Sequence, residues 1–270
     1  MLGITPIRIE LKAMFIGNMQ TAIKVNNISK IFKIPHEKRT AIVEAFLKFF
    51  NKNVKYEDFY ALKDVSFEVK KGDSLGIIGN NGSGKTTLLK IIAGIILPTF
   101  GDVGVNGKIV PLLELGVGFQ DEHTAKENIY LYGAILGLRN SQINKKFNEI
   151  VEFAELEKFV DMKLKHFSAG MKARLAFSTA IQAEGDVYLV DEVLAVGDVS
   201  FKKKCFEVFN ELRKDGKTLI LVAHVPGWIV SYCDNAIWLN EGKIKKFDIS
   251  DEVIREYIGL IENVTSTKKP

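Results

Sequence analysis

From about Ala22 to Lys33 apolar residues stand among polar neighbours at Ile23, Val25, Ile28 and Ile31. That pattern predicts a strand. After Pro35 the period changes. Ile42, Ala45, Phe46, Phe49 and Phe50 fall at i, i+3, i+4, i+7 and i+8, which predicts a helix over about 39–50 with one apolar face. The polar stretch Asn51 to Lys55 closes it, and alternation resumes at Leu62, Val65, Phe67 and Val69, as in a half-buried strand. A short apolar strand, Ser74 to Ile78, leads into a glycine-rich loop and a helix from Thr86. A glycine-punctuated β region covers Gly101 to Val117, and 124–159 reads as helical, with apolar patterns around Ile129 to Leu138 and Ile143 to Phe153. Beyond Ser168 the elements alternate: helix Lys172 to Ala183, strand Val187 to Val190, helix Phe201 to Lys214, strand Thr218 to Ala223. Alternating strands and helices imply an α/β fold, a parallel sheet with helices on its faces. The helical middle then reads as a subdomain inserted into that core.

Composition narrows this little. The 270 residues are 47% hydrophobic and 26% charged, enough for one large domain with a substantial core. Lys and Arg exceed Asp and Glu by 37 to 33, and the surplus is spread along the chain rather than gathered into the patch that nucleic acid requires. Cys205 and Cys233 stand apart without a CxxC, which points to reduced thiols. No stretch approaches the ~20 apolar residues that span a bilayer; Leu88 to Leu97 is short and carries Lys90. Met1 to Met19 lacks a signal-peptide layout, and Met14 and Met19 leave the true start open, so 1–21 is read only as an extension. Thr265 to Pro270 is a polar tail, and 259–270 is expected to lie beyond the last domain helix.

Gly79-Asn80-Asn81-Gly82-Ser83-Gly84-Lys85-Thr86 fits G-x-x-x-x-G-K-[ST], between a strand and a helix. Glycines let backbone N–H groups curl around phosphate oxygens, Lys85 reaches the β- and γ-phosphates, and the Thr86 hydroxyl ligates Mg²⁺. The following helix points its positive end at the anion. Val187 to Val190 is an apolar strand that ends in Asp191-Glu192. Carboxylates at a strand's C-terminal end sit beside the phosphate loop in α/β sheets. Asp191 is suited to hold Mg²⁺ through water, and Glu192 to polarise the attacking water.

The order Gly79–Thr86, Gln120, Phe167-Ser168-Ala169-Gly170-Met171, Asp191-Glu192, Asp198 and His224 resembles the ABC ATPase family, over about Ala22 to Phe247. The resemblance implies a P-loop ABC ATPase core with a mixed sheet, an antiparallel β region and an inserted helical subdomain at about 121–170. It implies that ATP and Mg²⁺ are bound, that Gln120 senses the γ-phosphate and the ion, that His224 bonds the γ-phosphate, and that Asp198 lies in a loop crossing a dimer interface. Thr87 belongs to the phosphate site in the same way. The usual Leu-Ser-Gly-Gly-Gln signature appears here with Ala169 for the first glycine and Met171 for the glutamine. Ser168 and Gly170 are kept, so a hydroxyl and a close backbone approach remain available to a γ-phosphate; read alone, the segment is a helix capped by Ser168. An aromatic ahead of the phosphate loop stacks on adenine in this family; Phe32 is the best match and Tyr60 the runner-up. One signature and one P-loop per chain imply a head-to-tail ATP-sandwich dimer, with Ser168 of one copy facing the P-loop of the other.

Leu112 to Phe119, Glu127 to Gly133 and Asp191 to Asp198 are similar to a narrower group, the ATPase subunits of bacterial exporters for O-antigen, capsule or teichoic acid polymers. That group carries an insertion after its first strand, here 36–56, where Lys38, Arg39, Lys48, Lys52 and Lys55 outnumber Glu37 and Glu44. A basic amphipathic helix suits anionic headgroups or a pyrophosphate-linked substrate. The resemblance implies a gate helix near a lipid-linked glycan, integral membrane permease partners, and a peripheral position on the cytoplasmic face of the inner or plasma membrane. The chain is too short for the C-terminal carbohydrate-binding domain of some relatives, so recognition of glycan ends by this subunit is not expected. The alternatives are another exported cargo (drug, peptide or lipid) and a soluble ABC ATPase acting on DNA or ribosomes. The latter is disfavoured because Lys85 to Ser168 leaves no room for a long coiled coil and only one ATPase unit is present. No nucleic-acid partner is expected, and the signature excludes a P-loop kinase.

Overall fold

The computed structural model describes residues 20–35, 56–191 and 198–266. The helix expected at 39–50, residues 1–19 and Glu192 lie outside the described residues. The described strands form two sheets. β1 (Thr21–Pro35) pairs antiparallel with β2 (Tyr56–Lys70) on one side and β4 (Phe100–Val105) on the other. The second sheet has the order β5 (Ile109–Leu112), β6 (Val187–Asp191), β7 (Thr218–Val222), β3 (Ser74–Ile78), β8 (Asn235–Asn240), β9 (Lys243–Ile249). Its first five strands are parallel and β9 is antiparallel, so the sheet is mixed.

The parallel strands are apolar throughout because both of their faces are covered, and successive side chains point to opposite layers. Leu189, Ile220, Ile77 and Ile237 pack on the side of β1, β2 and helix α1 (Lys85–Ile92). Tyr188, Val190, Leu219, Leu221 and Ile78 pack on the other side. That side is covered by α4 (Ala169–Ala180), α5 (Val199–Lys214), α6 (Pro226–Tyr232) and α7 (Ser250–Ser266), which contribute Phe177, Phe209, Ile229 and Val253. Cys205 and Cys233 lie in this same layer, where burial pushes both thiols up, Cys205 to about 12.

A third apolar cluster belongs to the helical subdomain. Helices α2 (Ala125–Ile135) and α3 (Asn140–Ala154) close over Ile129, Ile143, Ile150 and Leu164 against Leu175 of α4. Thr124 and Glu127 form a reciprocal capping box at the start of α2.

Several expected boundaries move. The β region expected at Gly101 to Val117 divides: β4 joins the antiparallel sheet and β5 the parallel one. β2 begins at Tyr56, ahead of the alternating stretch, because pairing with β1 continues to Pro35 opposite Tyr56. α4 begins at Ala169 rather than Lys172, since Ser168 caps it by accepting from Met171 N at 3.2 Å. α7 runs unbroken to Ser266, past the expected tail boundary at 259. Among the described residues, no helix is long and apolar enough to cross a membrane.

Candidate nucleotide-binding site

The glycine loop leaves β3 at Ile78 and enters α1 at Lys85, and its shape is forced by close backbone neighbours. A Cβ on Gly79 would lie 2.0 Å from Leu239 O; one on Gly84, which holds φ +105°, would lie 2.5 Å from Ala61 O. Both positions therefore exclude a side chain, and β2 and β8 press the loop into its curl. Lys85 is 5% exposed, and its Nζ donates to Gly79 O at 2.8 Å and Asn80 O at 3.1 Å. The lysine thus lies back across its own loop, its ammonium held by two loop carbonyls. From the opposite layer Tyr257 Oη donates to Asn80 Oδ1 at 3.3 Å, tying α7 to the loop.

Thr86 Oγ1 donates to Asp191 Oδ2 at 2.8 Å. Asp191 ends β6, is 8% exposed, and its other carboxylate oxygen is buried without a hydrogen-bond partner. Burial pushes its carboxyl up, against the opposing pull of the Thr86 hydroxyl and the charges of Lys85 and His224. A second buried oxygen without a partner, Ser83 Oγ, lies in the loop itself. Native structures rarely leave such atoms unsatisfied unless an ion, ligand or water completes them. The Thr86 hydroxyl and the unpaired Asp191 carboxylate oxygen are hard oxygen donors that fit Mg²⁺, and the backbone N–H groups of the loop suit the phosphates carried with it. Among the described residues no group of three or more His, Cys, Asp or Glu is placed to hold a metal ion.

His224 follows β7 and is exposed close enough to Asp191 to act on its charge. Gln120 is exposed ahead of α2, and its Nε2 donates to Gly118 O at 3.4 Å. Ser168, Ala169 and Gly170 open α4 in the helical layer, with Ser168 and Ala169 exposed. Asp198 caps α5: its Oδ1 accepts from Ser200 Oγ at 2.6 Å and from Phe201 N at 2.9 Å, and these bonds, with Arg174 nearby, hold its carboxyl below the usual range. Phe32 sits opposite Phe59 and Tyr60 opposite Ile31 in the β1–β2 ladder, so Phe32 and Tyr60 project to opposite faces. Both are partly exposed, and β2 meets the phosphate loop directly after Tyr60, at Ala61 and Leu62.

Two structural residues, Tyr257 and Asp234, carried no motif, and Asn128, inside the segment Glu127 to Gly133, was given no role of its own. Asp234 accepts from Ser74 N at 2.9 Å and Arg213 at 2.9 Å, joining the starts of β3 and β8. The signal for Asn128 was available, since it falls on the α2 face marked by Ala125, Ile129 and Tyr132, where an apolar residue is the rule.

A parallel sheet with a phosphate loop at one strand end and a carboxylate at the next-but-one strand end defines a P-loop nucleoside-triphosphate-binding protein. The ABC transporter family model matches residues 62–195. The chain is 37% identical over 243 residues to an O-antigen export system ATP-binding protein of Klebsiella pneumoniae, covering 88% of this chain and 98% of that one. It is 37% identical over 235 residues to a teichoic acids export ATP-binding protein of Listeria monocytogenes, covering 87% of this chain and 69% of that one. A dimeric ATP-binding cassette solved in a post-hydrolysis state with ADP and Pi superposes with a TM-score of 0.68 at 24% identity, over 84% of this chain and 98% of that one. The chain belongs to the ABC transporter ATP-binding family and is an ATPase.

Proposed function

We propose that this chain is the ATP-hydrolysing subunit of an exporter that drives a lipid-linked cell-surface polysaccharide through a separate membrane permease. The observation that carries the chemistry is the Thr86–Asp191 bond beside the phosphate loop, with one carboxylate oxygen of Asp191 buried and unpartnered. The cargo follows from the relatives: proteins named for O-antigen and teichoic acid export align along most of this chain.

In this reading the loop N–H groups and Lys85 hold the β- and γ-phosphates, and Thr86 and Asp191 hold Mg²⁺, Asp191 through water. Held by Thr86 and Asp191, Mg²⁺ would supply positive charge against the negative charge that develops on the phosphate in the transition state. Glu192 accepts a proton from the attacking water, His224 aligns that water on the γ-phosphate, and Gln120 senses it. Ser168 and Gly170 present a helix N-terminus to the γ-phosphate of a second copy, and Asp198 lies at the same interface. Nucleotide closes the two copies, and hydrolysis releases them. Phe32 stacks on adenine, with Tyr60 as the alternative. The insertion at 36–56 serves as a gate near the glycan headgroup. The chain sits peripherally on the cytoplasmic face of the membrane, against its permease.

Mass spectrometry of lipid-linked glycans tests this, in cells whose only copy carries Glu192→Gln. Accumulation of a long polyprenyl-linked polymer is expected. Normal glycan pools beside a stalled ATPase in vitro would remove the polymer reading in favour of another cargo.

A further inference from the structure

The side chain of Asn128 is fully buried and completely hydrogen-bonded to backbone. Its Oδ1 accepts from Gln120 N at 2.7 Å, and its Nδ2 donates to Gln120 O at 3.0 Å and to Thr124 O at 2.8 Å. Both backbone polar groups of Gln120 are therefore held by one planar amide. Only asparagine and glutamine carry an acceptor and two donors on a single flat group, and glutamine is one methylene too long for this place. Asparagine at a core-facing helix position is costly unless every polar atom is paired, and here each is.

The hold continues past Gln120. Lys165 N donates to Asp121 O, Leu164 N to His123 O, Ala125 N to Met162 O and Lys126 N to Val160 O. Asp121 pairs with Lys172 of α4 at 2.5 Å, and Glu122 pairs with Lys163 and Lys165 at 3.2 and 3.1 Å. Phe119, on the other side of Gln120, packs edge-on against Tyr132 of α2, ring centroids 5.3 Å apart. The glutamine is thus an exposed side chain on a backbone anchored from both sides into the helical layer.

We propose that Asn128 is a positioning residue of the ATPase reaction: by clamping the backbone of Gln120 it aims that side chain at the γ-phosphate and makes it move as one body with the helix that Ser168 caps. The proposal rests on the reading of Gln120 as the γ-phosphate sensor. A side chain fixed through its own backbone delivers a group to a reacting centre, and misplacement by about 1 Å can cost roughly 100-fold in rate. ADP lacks the γ-phosphate, so its binding should not depend on this clamp.

The test is a mutant cycle on the full chain: Gln120→Ala, Asn128→Ala, the double variant, and Asn128→Asp, which keeps the shape and the acceptor and loses both donors. Turnover and ADP affinity are measured for each. Asn128→Ala and Asn128→Asp are expected to lower kcat by roughly 10- to 100-fold with ADP affinity unchanged. The double variant should be no slower than Gln120→Ala alone, because the two residues act as one unit. Losses that multiply in the double variant would overturn the proposal. Turnover within about twofold of wild type in both Asn128 variants, or loss of ADP binding in them, would overturn it as well and place Asn128 in the fold alone. Wild-type turnover in Gln120→Ala would remove the Gln120 reading and the proposal with it, a result distinguishable from failure of Asn128 alone.

Discussion

Thr86 and Asp191 stand 105 residues apart in the chain and meet through a 2.8 Å hydrogen bond from the threonine hydroxyl to one carboxylate oxygen. Their elements, α1 and β6, are both rooted in the apolar layer that contains Leu88, Leu89 and Leu189. The bond uses one carboxylate oxygen of Asp191, and the second is buried without a hydrogen-bond partner.

That arrangement gives a pH dependence with a definite sign. Burial raises the Asp191 carboxyl above its ordinary value, so the folded protein holds this proton more tightly than the unfolded chain does. Stability should fall as pH rises from the unfolded pKa of about 3.9 through the raised folded value, and the penalty persists at neutral pH. Asp191→Asn should therefore melt higher than the wild type at pH 7 in the absence of nucleotide and Mg²⁺, and the difference should shrink toward pH 4. The same variant should lose Mg²⁺-dependent ATPase. A neutral-pH melting temperature lowered by the substitution would count against this account.

Lys85→Ala should abolish nucleotide binding or hydrolysis, because the ammonium charge fixed by Gly79 O and Asn80 O is then missing from the loop. Glu192→Gln should keep ATP bound and lose roughly 100- to 10,000-fold in turnover, as expected for removal of a general base. Steady-state ATPase of both variants beside fluorescent-nucleotide binding separates the two effects; unchanged turnover in Glu192→Gln would sink its role.

Gly84→Ala should destabilise the fold by about 1–3 kcal/mol, from φ +105° and a Cβ placed 2.5 Å from Ala61 O. Thermal melting reads this as about 2–4 °C per kcal/mol for a domain of this size. ATP affinity should fall with it, since the loop N–H groups shift. Gly82→Ala has open space around its Cβ but φ +78°, so its cost should come from backbone strain alone and be smaller.

Phe32 and Tyr60 occupy opposite faces of the same ladder, so a single base can stack on only one of them. Phe32→Ala should weaken ATP binding by about 1–3 kcal/mol, the usual worth of a base–aromatic stack, while Tyr60→Ala leaves it unchanged. Isothermal titration with ATP and GTP checks this, and GTP should follow ATP because every base has a π-face. The reverse pattern would move the adenine to the Tyr60 face.

Much of this was open to reading along the chain, for reasons tied to particular residues. Ile23 to Ile31, Leu62 to Val69 and Val187 to Val190 carry their strand period in their own side chains, and Gly79 to Thr86 states its chemistry through local spacing. Tyr56 to Phe59 did not read as strand because their side chains are exposed on both faces; they are held by backbone pairing to β1. The division of Gly101 to Val117 between two sheets was equally hidden, since the partners of β4 and β5 come from residues 23–29 and 187–190.

The sequence by itself determined that an α/β core presents a phosphate loop and a strand-end carboxylate, because those depend on short-range period and on residues that are adjacent or nearly so. The tertiary structure alone decided that Asp191 keeps an unpartnered buried oxygen, that Asn128 holds the backbone of Gln120, and that Ala61 and Leu239 press Gly84 and Gly79 into their curl. Each of these is a contact between distant segments, fixed by burial and by the need to pair every buried polar group, and neither requirement can be assigned before the chain has closed on itself.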